Sequence, residues 1–447
     1  MASAPISLQD VGAKHIPHQD EKFHRETVCD LLHRRNTTFP GAQPVSFARH
    51  HLLELQKTDY FMCEKTDGIR CLLYLTELTV EGGEVIEAQF LIDRKNDYYY
   101  VERERLHLPT PQDIAGHHVG TLVDGELVRQ RFPNGTQRLA YLIFDLLAID
   151  NEDVTPKPFD KRLARIETLI YRPMREFAKR YPQDVDAQPF QIEMKKMEFP
   201  YGMEMMFRDR IPNLPHGNDG LIFTCKGTKY VAGTDQHILK WKPPVENTID
   251  FRLLLGEFPW VEDPDDEVDG GFQDWDAMPE MELHVNHGDK KDEGYKYFAP
   301  LTLTVAEWEA LKGLNQLIDG RIIECYRDPT DATADVWRPK LDDGVPRFRD
   351  DKTDANHIKT VNSVLESIQD AVTEEDLIAQ AGAIRAEFKK RQKAREEEAR
   401  RVEEMERRKR AERERQQAQQ QAQRSQGDVK TEEVKEEEED DGSRYED

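Results

Sequence analysis

Cysteine is scarce in this chain: Cys29, Cys63, Cys71, Cys225 and Cys325 are the only five among 447 residues, and none falls in a C-x-x-C pair. An odd, scattered set excludes a disulfide framework and offers no ligand set for structural zinc, and it suits a reducing interior compartment. No apolar run approaches the roughly 18 residues of a membrane span. No basic-then-apolar signal pattern opens the chain. The expectation is therefore a cytosolic or nuclear protein with no membrane partner. There is no G-x-x-x-x-G-K-[ST] phosphate loop, and no internal repeat. Apolar residues are also thin, at 37% against 34% charged. Part of the chain has too little apolar material to join a core.

The formal charge of −25 argues at first against a nucleic-acid partner. Its distribution removes the objection. Residues 261–293 hold 13 acids against Lys290 and Lys291, and the stretch 427–447 is similarly acidic. The remainder is only mildly acidic, which leaves room for local basic surfaces. The cluster Arg407-Arg408-Lys409-Arg410 reads either as a nuclear-entry signal or as solvated helix charge.

What is present is a set of short, largely apolar runs between residues 46 and 150, among them Cys71-Leu72-Leu73-Tyr74-Leu75, Thr121-Leu122-Val123 and Tyr141-Leu142-Ile143-Phe144. Bounded by turn or charged residues, they predict strands. Helical spacing follows from Asp160 to Arg180, with Pro173 set to kink or end it. Pro243-Pro244 marks a boundary, since paired prolines cannot continue a central strand. Beyond it, several short strands over roughly 100 residues predict a small barrel or sandwich, interrupted by the acidic loop 261–293. His357 to Ile368 predicts a closing helix. Residues 384–424, rich in Glu, Arg, Lys and Gln, lack an apolar seam and predict a solvated helix or disorder.

The chemistry-bearing stretch is Glu64-Lys65-Thr66-Asp67-Gly68-Ile69-Arg70. A lysine amine is a nucleophile once it is deprotonated, and apolar flanks place Lys65 on a strand facing a pocket. Alone, Lys-x-Asp-Gly is a weak signal, since Asp-Gly is also an ordinary hairpin turn. Other elements follow in order: Asp93-Arg94, Asp124-Gly125-Glu126, Asp219-Gly220-Leu221-Ile222-Phe223, Leu239-Lys240-Trp241-Lys242-Pro243 and Arg349-Asp350-Asp351-Lys352. Each has a use in attack on a nucleoside triphosphate. Lys240 and Lys242, two apart on a strand, would share a face and balance charge developing on phosphate. Glu126 and Asp219 would hold a divalent metal, Mg2+ or Mn2+, through hard oxygen ligands. Phe144 could stack a purine, with Ile222 as the opposite apolar wall. Taken singly, each element is more simply a turn, a solvated face or core; their joint order is what those readings leave unexplained.

That order resembles the covalent nucleotidyltransferase superfamily of mRNA capping enzymes and ATP-dependent polynucleotide ligases, and more closely a fungal-type mRNA guanylyltransferase. The resemblance covers about residues 40–370. It implies an α+β fold: a nucleotidyltransferase domain of antiparallel sheets and helices (1–244), then an OB-fold β-barrel (245–350) carrying the acidic insertion 261–293, a closing helix (351–372) and a charged helical or disordered tail (373–447). It implies that Lys65 forms a covalent lysyl-GMP from GTP and passes GMP to the 5′-diphosphate end of RNA. By the same resemblance, Arg70 and Glu126 contact the ribose region, and Lys195 reads the guanine edge, with Lys196 a near rival. Asp219 sits by the metal and α-phosphate, while Lys240 and Lys242 hold phosphates. Arg349, Asp351 and Lys352 orient pyrophosphate once the barrel closes. A nuclear location, a separate RNA 5′-triphosphatase subunit and the phosphorylated C-terminal domain of RNA polymerase II are implied as well. The alternatives are an ATP-dependent ligase, which ATP labelling would reveal, and a non-catalytic interaction module. Cys29 and Arg35 have the C-x5-R spacing of a cysteine phosphatase, but the residues between them lack the glycines of a phosphate cradle, so Cys29 is expected in a helix core.

Overall fold

Strand Ile69–Thr79 shows why alternation is hard to see in this sequence. Cys71, Leu73 and Leu75 enter one hydrophobic cluster, and Leu72 and Tyr74 enter another on the opposite face. A strand covered on both sides has no polar face to display. The computed structural model describes residues 6–80, 82–101, 106–262, 271–288, 294–328, 335–342 and 344–441. Ile69–Thr79 is central to an eight-stranded sheet with the order Ala13–His15, Tyr98–Val101, Val85–Ile92, Ile69–Thr79, Thr121–Arg131, Gln137–Ile149, Gln191–Met194, with Glu152–Asp153 paired to Gln137–Ile149. All neighbours are antiparallel except Gln191–Met194. Helix His18–Leu31 covers one face through Val28, and residues 159–177 cover the other through Phe159, Ile166, Ile170 and Phe177. The helical run does not end at Pro173. A π-turn at Ile166–Tyr171 leads straight into helix Arg172–Arg180, and this wider turn just before the proline interrupts the regular α-helical pattern where its N–H is missing.

A second, four-stranded sheet has the order Ala42–Ser46, Gly233–Trp241, Asn218–Cys225, Tyr60–Thr66. Tyr60–Thr66 and Ile69–Thr79 therefore lie in different sheets. Asp67-Gly68 is not a hairpin turn but the crossing between them, and Asp67 N donates to Gly217 O across that junction at 3.1 Å. Only glycine fits the crossing: a Cβ at Gly68 would stand 2.5 Å from Leu127 O and 2.8 Å from Val128 Cγ1.

The third sheet runs Tyr295–Pro300, Met281–Asn286, Thr248–Leu255, Ile322–Arg327, Trp337–Pro339. A bridge between Leu301 and Trp337 joins the two ends of that path and closes a small barrel around Phe251, Leu283, Ile323 and Trp337. The stretch 261–293 is thus not one acidic loop. Met281–Asn286 is a barrel strand, its inward Met281, Leu283 and Val285 alternating with Glu282 and His284. Trp260–Glu262 and Gly271–Gln273 form a separate short ladder. Residues 263–270 and 289–293 lie outside the described residues. The closing helix is Ile358–Gln369, shorter than 351–372, and it buries Val361 against the barrel.

The charged tail was expected from 373, but its first turns are core. Helix Glu374–Asp441 begins with Leu377 and Ile384 buried, alongside Val372, in the cluster that backs the four-stranded sheet, and Trp241 Nε1 donates to Val372 O at 2.8 Å. These apolar residues are too sparse to register as an amphipathic pattern before the charged run begins. From 392 to 418 every residue is exposed. The chain divides into the unit Met1–Ile384 and the helical unit Arg385–Asp447. The test compares two shortened chains, one ending at 384 and one ending at 371. Ending the chain at 371 strips three buried apolar side chains worth about 1.5–3 kcal/mol each, and should lower the midpoint clearly in a melting experiment. Equal melting of the two truncations would refute this packing.

Candidate active site

Lys65 lies one residue from the end of its strand, where the two large sheets meet. Its ammonium is 2.6 Å from Asp219 Oδ1, and Lys242 Nζ is 2.8 Å from Asp219 Oδ2. The neighbouring strand supplies Asp219 because the ladder bulges between Asn218 and Leu221, opposite Thr66 and Glu64. Gly220 makes the bulge possible. At φ +146°, a Cβ there would sit 2.0 Å from Trp241 O. Burial alone would push the Asp219 carboxyl upward, but Lys242 and Lys65 outweigh it and hold the group below its ordinary value. Lys240 makes no ion pair among the described residues. Burial lowers its pKa first, and the like charges of Lys242, Lys65 and Arg94 lower it further. Lys242 lies just past the end of its strand, and the two lysines flank Trp241.

The pocket between the sheets is lined by Lys65, Thr66, Arg70, Arg94, Glu126, Phe144, Lys195 and Ile222, with others. Phe144 and Ile222 are its expected apolar residues, and the Phe144 ring centroid is 5.6 Å from both Arg70 Cζ and Lys195 Nζ. Lys195 is buried and Lys196 exposed, so the pocket takes Lys195. Lys195 Nζ donates to Glu64 O at 3.3 Å and lies 3.4 Å from Glu126 Oε2. Burial opposes its charge, but Cys63, Glu126 and Glu64 together hold its pKa above the ordinary value. Glu126 Oε1 also accepts from Gly68 N at 3.2 Å. Glu126 and Asp219, both expected to hold metal, thus sit in separate ion-pair sets.

Arg70 is a wall of the site more than a free hand. Its Nε and Nη2 donate to the two oxygens of Asp124 at 3.1 and 2.7 Å, and Nη1 donates to Ala42 O. Tyr230 OH donates to Asp124 Oδ2 at 2.6 Å and accepts from Ala42 N at 2.9 Å. Asp124 is wholly buried. Burial opposes the Arg70 charge, and Asp124 more than restores it, so the guanidinium is held above its ordinary pKa. Sequence reasoning did not assign roles to Asp124, Tyr230, Thr66 or Arg94. Asp124 and Arg94 stand inside quoted motifs, which was a usable signal. Tyr230 has none, being 106 residues from its partner. Thr66 Oγ1 is buried, borders the pocket and has no hydrogen-bond partner among the described residues.

Arg349, Asp351 and Lys352 are not brought to the pocket. Arg349 pairs through two nitrogens with Asp351, each at 2.8 Å, and through Nη1 with Asp250 Oδ1 at 3.3 Å; Lys352 also pairs with Asp250. The Arg349 hydrogen bonds pull the Asp351 carboxyl down to about 2. Asp250 sits on a barrel strand and satisfies both cations there. Cys29 is buried in helix His18–Leu31, its thiol directed at the carbonyls of Arg34 and Asn36. A thiol facing carbonyl oxygens is no phosphate cradle. No helix among the described residues is long and apolar enough to cross a membrane.

Two family models match the chain: the mRNA capping enzyme catalytic domain over residues 6–244, and the mRNA capping enzyme C-terminal domain over 246–378. The chain is 47% identical over 383 residues to the mRNA-capping enzyme subunit alpha of Neurospora crassa, covering 83% of this chain and 92% of that one. It is 42% identical over 397 residues to the subunit of the same name from Schizosaccharomyces pombe, covering 88% and 92%. With that from Saccharomyces cerevisiae it shares 38% over 397 residues, covering 80% and 82%.

Proposed function

The chain belongs to the mRNA capping enzyme family and is an mRNA guanylyltransferase; on that footing we propose that Lys65 is the residue that carries GMP. The observation behind this assignment is the Lys65–Asp219–Lys242 set at the mouth of a pocket with one aromatic and one aliphatic wall. In the first step Lys65 Nζ, its extra proton given to solvent, attacks the α-phosphorus of GTP. A P–N bond forms and the bond from that phosphorus to the bridging oxygen breaks, releasing pyrophosphate with the electron pair. In the second step an oxygen of the terminal phosphate of 5′-diphosphate RNA attacks the same phosphorus. The P–N bond breaks, and Nζ leaves with a proton taken from solvent. Splitting one transfer into two lets each step use the same nucleophile site.

Asp219 anchors the amine. A carboxylate kept ionised by two lysines is a poor proton acceptor, so its part is orientation of Nζ. Lys240, without a carboxylate partner, and Lys242 meet the phosphate charge as it develops. Asp219 would also hold a hard divalent cation, Mg2+ or Mn2+, which would neutralise phosphate charge. Glu126, tied to Gly68 N and Lys195, is assigned to the nucleoside side. Arg70 acts as a positioning residue through Asp124. Arg349, Asp351 and Lys352 reach pyrophosphate only if the barrel closes and Asp250 releases them, which fits the need to expel pyrophosphate before RNA enters.

Lys195 reads the base. Its ammonium meets the carbonyl edge of guanine with a donor, where adenine would present a donor of its own. Lys195→Ala should therefore reduce the preference for GTP over ATP by about 10–100-fold, measured as covalent label from each α-labelled nucleotide. Undiminished preference would remove Lys195 from this role. A gel with α-labelled GTP and a divalent metal, chased with diphosphate-ended RNA, tests the two-step reading as a whole. The "subunit alpha" names of the relatives support a partner subunit here, assigned as the RNA 5′-triphosphatase since Cys29 cannot serve. Residence in the nucleus and docking to the phosphorylated polymerase II C-terminal domain complete the proposal.

A further inference from the structure

Arg94 borders two cavities. One is the pocket of Lys65; the other is an open groove of about 520 Å³ on the far side of strand Ala42–Ser46. That strand is the edge of the four-stranded sheet. Its chain alternates between the two spaces, with Ala42 and Pro44 lining the pocket and Gly41 and Gln43 lining the groove. We propose that this groove seats the 5′ end of the acceptor RNA, with Lys95 and Arg94 on its phosphates and Phe39 against its first base. The inference rests on the guanylyltransferase reading and adds the location of the second substrate.

The groove is built for phosphate. Asp93 Oδ1 accepts from the backbone N–H of Lys95 at 2.8 Å and of Asp97 at 3.0 Å. That turn leaves Arg94 and Lys95 exposed, and neither has an ion-pair partner among the described residues. Arg25, also at the groove, is not available: it is held by Glu21 at 3.0 Å, Asp97 at 3.3 Å and the Asn96 carbonyl at 2.9 Å. These bonds engage Glu21 and Asp97, and the backbone N–H groups of Lys95 and Asp97 engage Asp93 Oδ1, so none of these three acids forms an ion pair with Arg94 or Lys95. The floor is fixed before any ligand arrives. Asn96, buried and at φ +69°, donates to Thr37 O at 2.7 Å.

Phe39 supplies the second half of the recognition. It is half-buried, packs against the cluster containing Leu32 and Tyr230, and lines the groove. Gly41 makes its position possible, since a Cβ there would fall 2.1 Å from the ring. An aromatic side chain beside unpaired cations is the pairing that single-stranded ends use, with the base on the ring and the backbone on the charges. Arg94 links this site to the P–N bond. The RNA terminus would cross the edge strand beside it, so that an oxygen of its end phosphate reaches the phosphorus on Lys65.

The test separates the two half-reactions in the full-length chain. Lysyl-GMP is formed with α-labelled GTP, then chased in parallel with pyrophosphate and with 5′-diphosphate RNA. Lys95→Glu and Phe39→Leu should form lysyl-GMP and return it to pyrophosphate at wild-type rates. Lys95→Glu should raise the RNA KM by about tenfold and flatten its dependence on salt, each lost phosphate contact reducing the slope by about one. Phe39→Leu should slow transfer several-fold, whereas Lys95→Arg, which keeps the charge, should transfer at close to the wild-type rate. Lys95→Glu and Phe39→Leu proteins that transfer to RNA like the wild type overturn the proposal, and so does the loss of both half-reactions together in either of them. A wild-type protein that takes no label from GTP would instead defeat the guanylyltransferase reading itself.

Discussion

Lys65→Ala takes up no guanylate from GTP under any divalent ion, and intact-protein mass spectrometry finds no added GMP. The loss should be on the order of 10⁴-fold or more, as when a covalent nucleophile is removed. The fold should survive, because Lys242 still pairs with Asp219 and the Lys65 side chain is only partly buried. Lys65→Arg is the sharper case. The guanidinium keeps the positive charge and a hydrogen bond for Asp219, yet it stays protonated and does not attack phosphorus. Both variants should therefore be equally dead. If Lys65→Arg retained labelling, charge at this position would be the requirement and the covalent role would fall. Peptide mapping of the labelled wild type should place the phosphoramidate at Lys65.

Asp124→Ala should be the most destabilising single change near the pocket. Asp124 is fully buried and accepts two bonds from Arg70 and one from Tyr230. Truncating it leaves a guanidinium and a phenol in a closed space without their acceptor. Breaking a buried pair in this way costs about 3–5 kcal/mol, to be read from urea midpoints followed by tryptophan fluorescence. Arg70→Met combined with Asp124→Leu should recover part of that stability, because no uncompensated charge remains. It should not recover guanylylation, because the wall that positions the pocket has lost its shape-giving contacts. A loss under about 1 kcal/mol for Asp124→Ala would mean that water reaches the pair and that it is not a buried one.

These two predictions divide along what could be read from the chain. Lys65, Asp219, Lys240 and Lys242 were legible because strands deliver side chains at fixed spacing and the residue types match phosphate chemistry. The contact between Lys65 and Asp219 spans 154 residues, and no local period encodes it. The barrel was legible as a group of short strands, but Met281–Asn286 was hidden inside an acidic stretch, because acids flank it on both sides and only three of its residues face inward. Val372, Leu377 and Ile384 were missed for a similar reason: a few apolar anchors cannot be told from noise until the surface they cover is known.

By itself the sequence determined the reaction type, through the resemblance that its motifs, in their order along the chain, bear to the capping-enzyme family. It also excluded a disulfide framework and a phosphate-loop enzyme. Only the tertiary structure decided that Asp67-Gly68 joins two sheets and is not a hairpin. It decided that Lys195 and not Lys196 enters the pocket, that Arg70 is committed to Asp124, and that Arg349 and Lys352 are held by Asp250 away from the nucleophile. The reason is physical. Chemistry depends on which functional groups exist, whereas contact depends on how separately formed sheets pack, and packing is settled by burial summed over residues far apart in the chain.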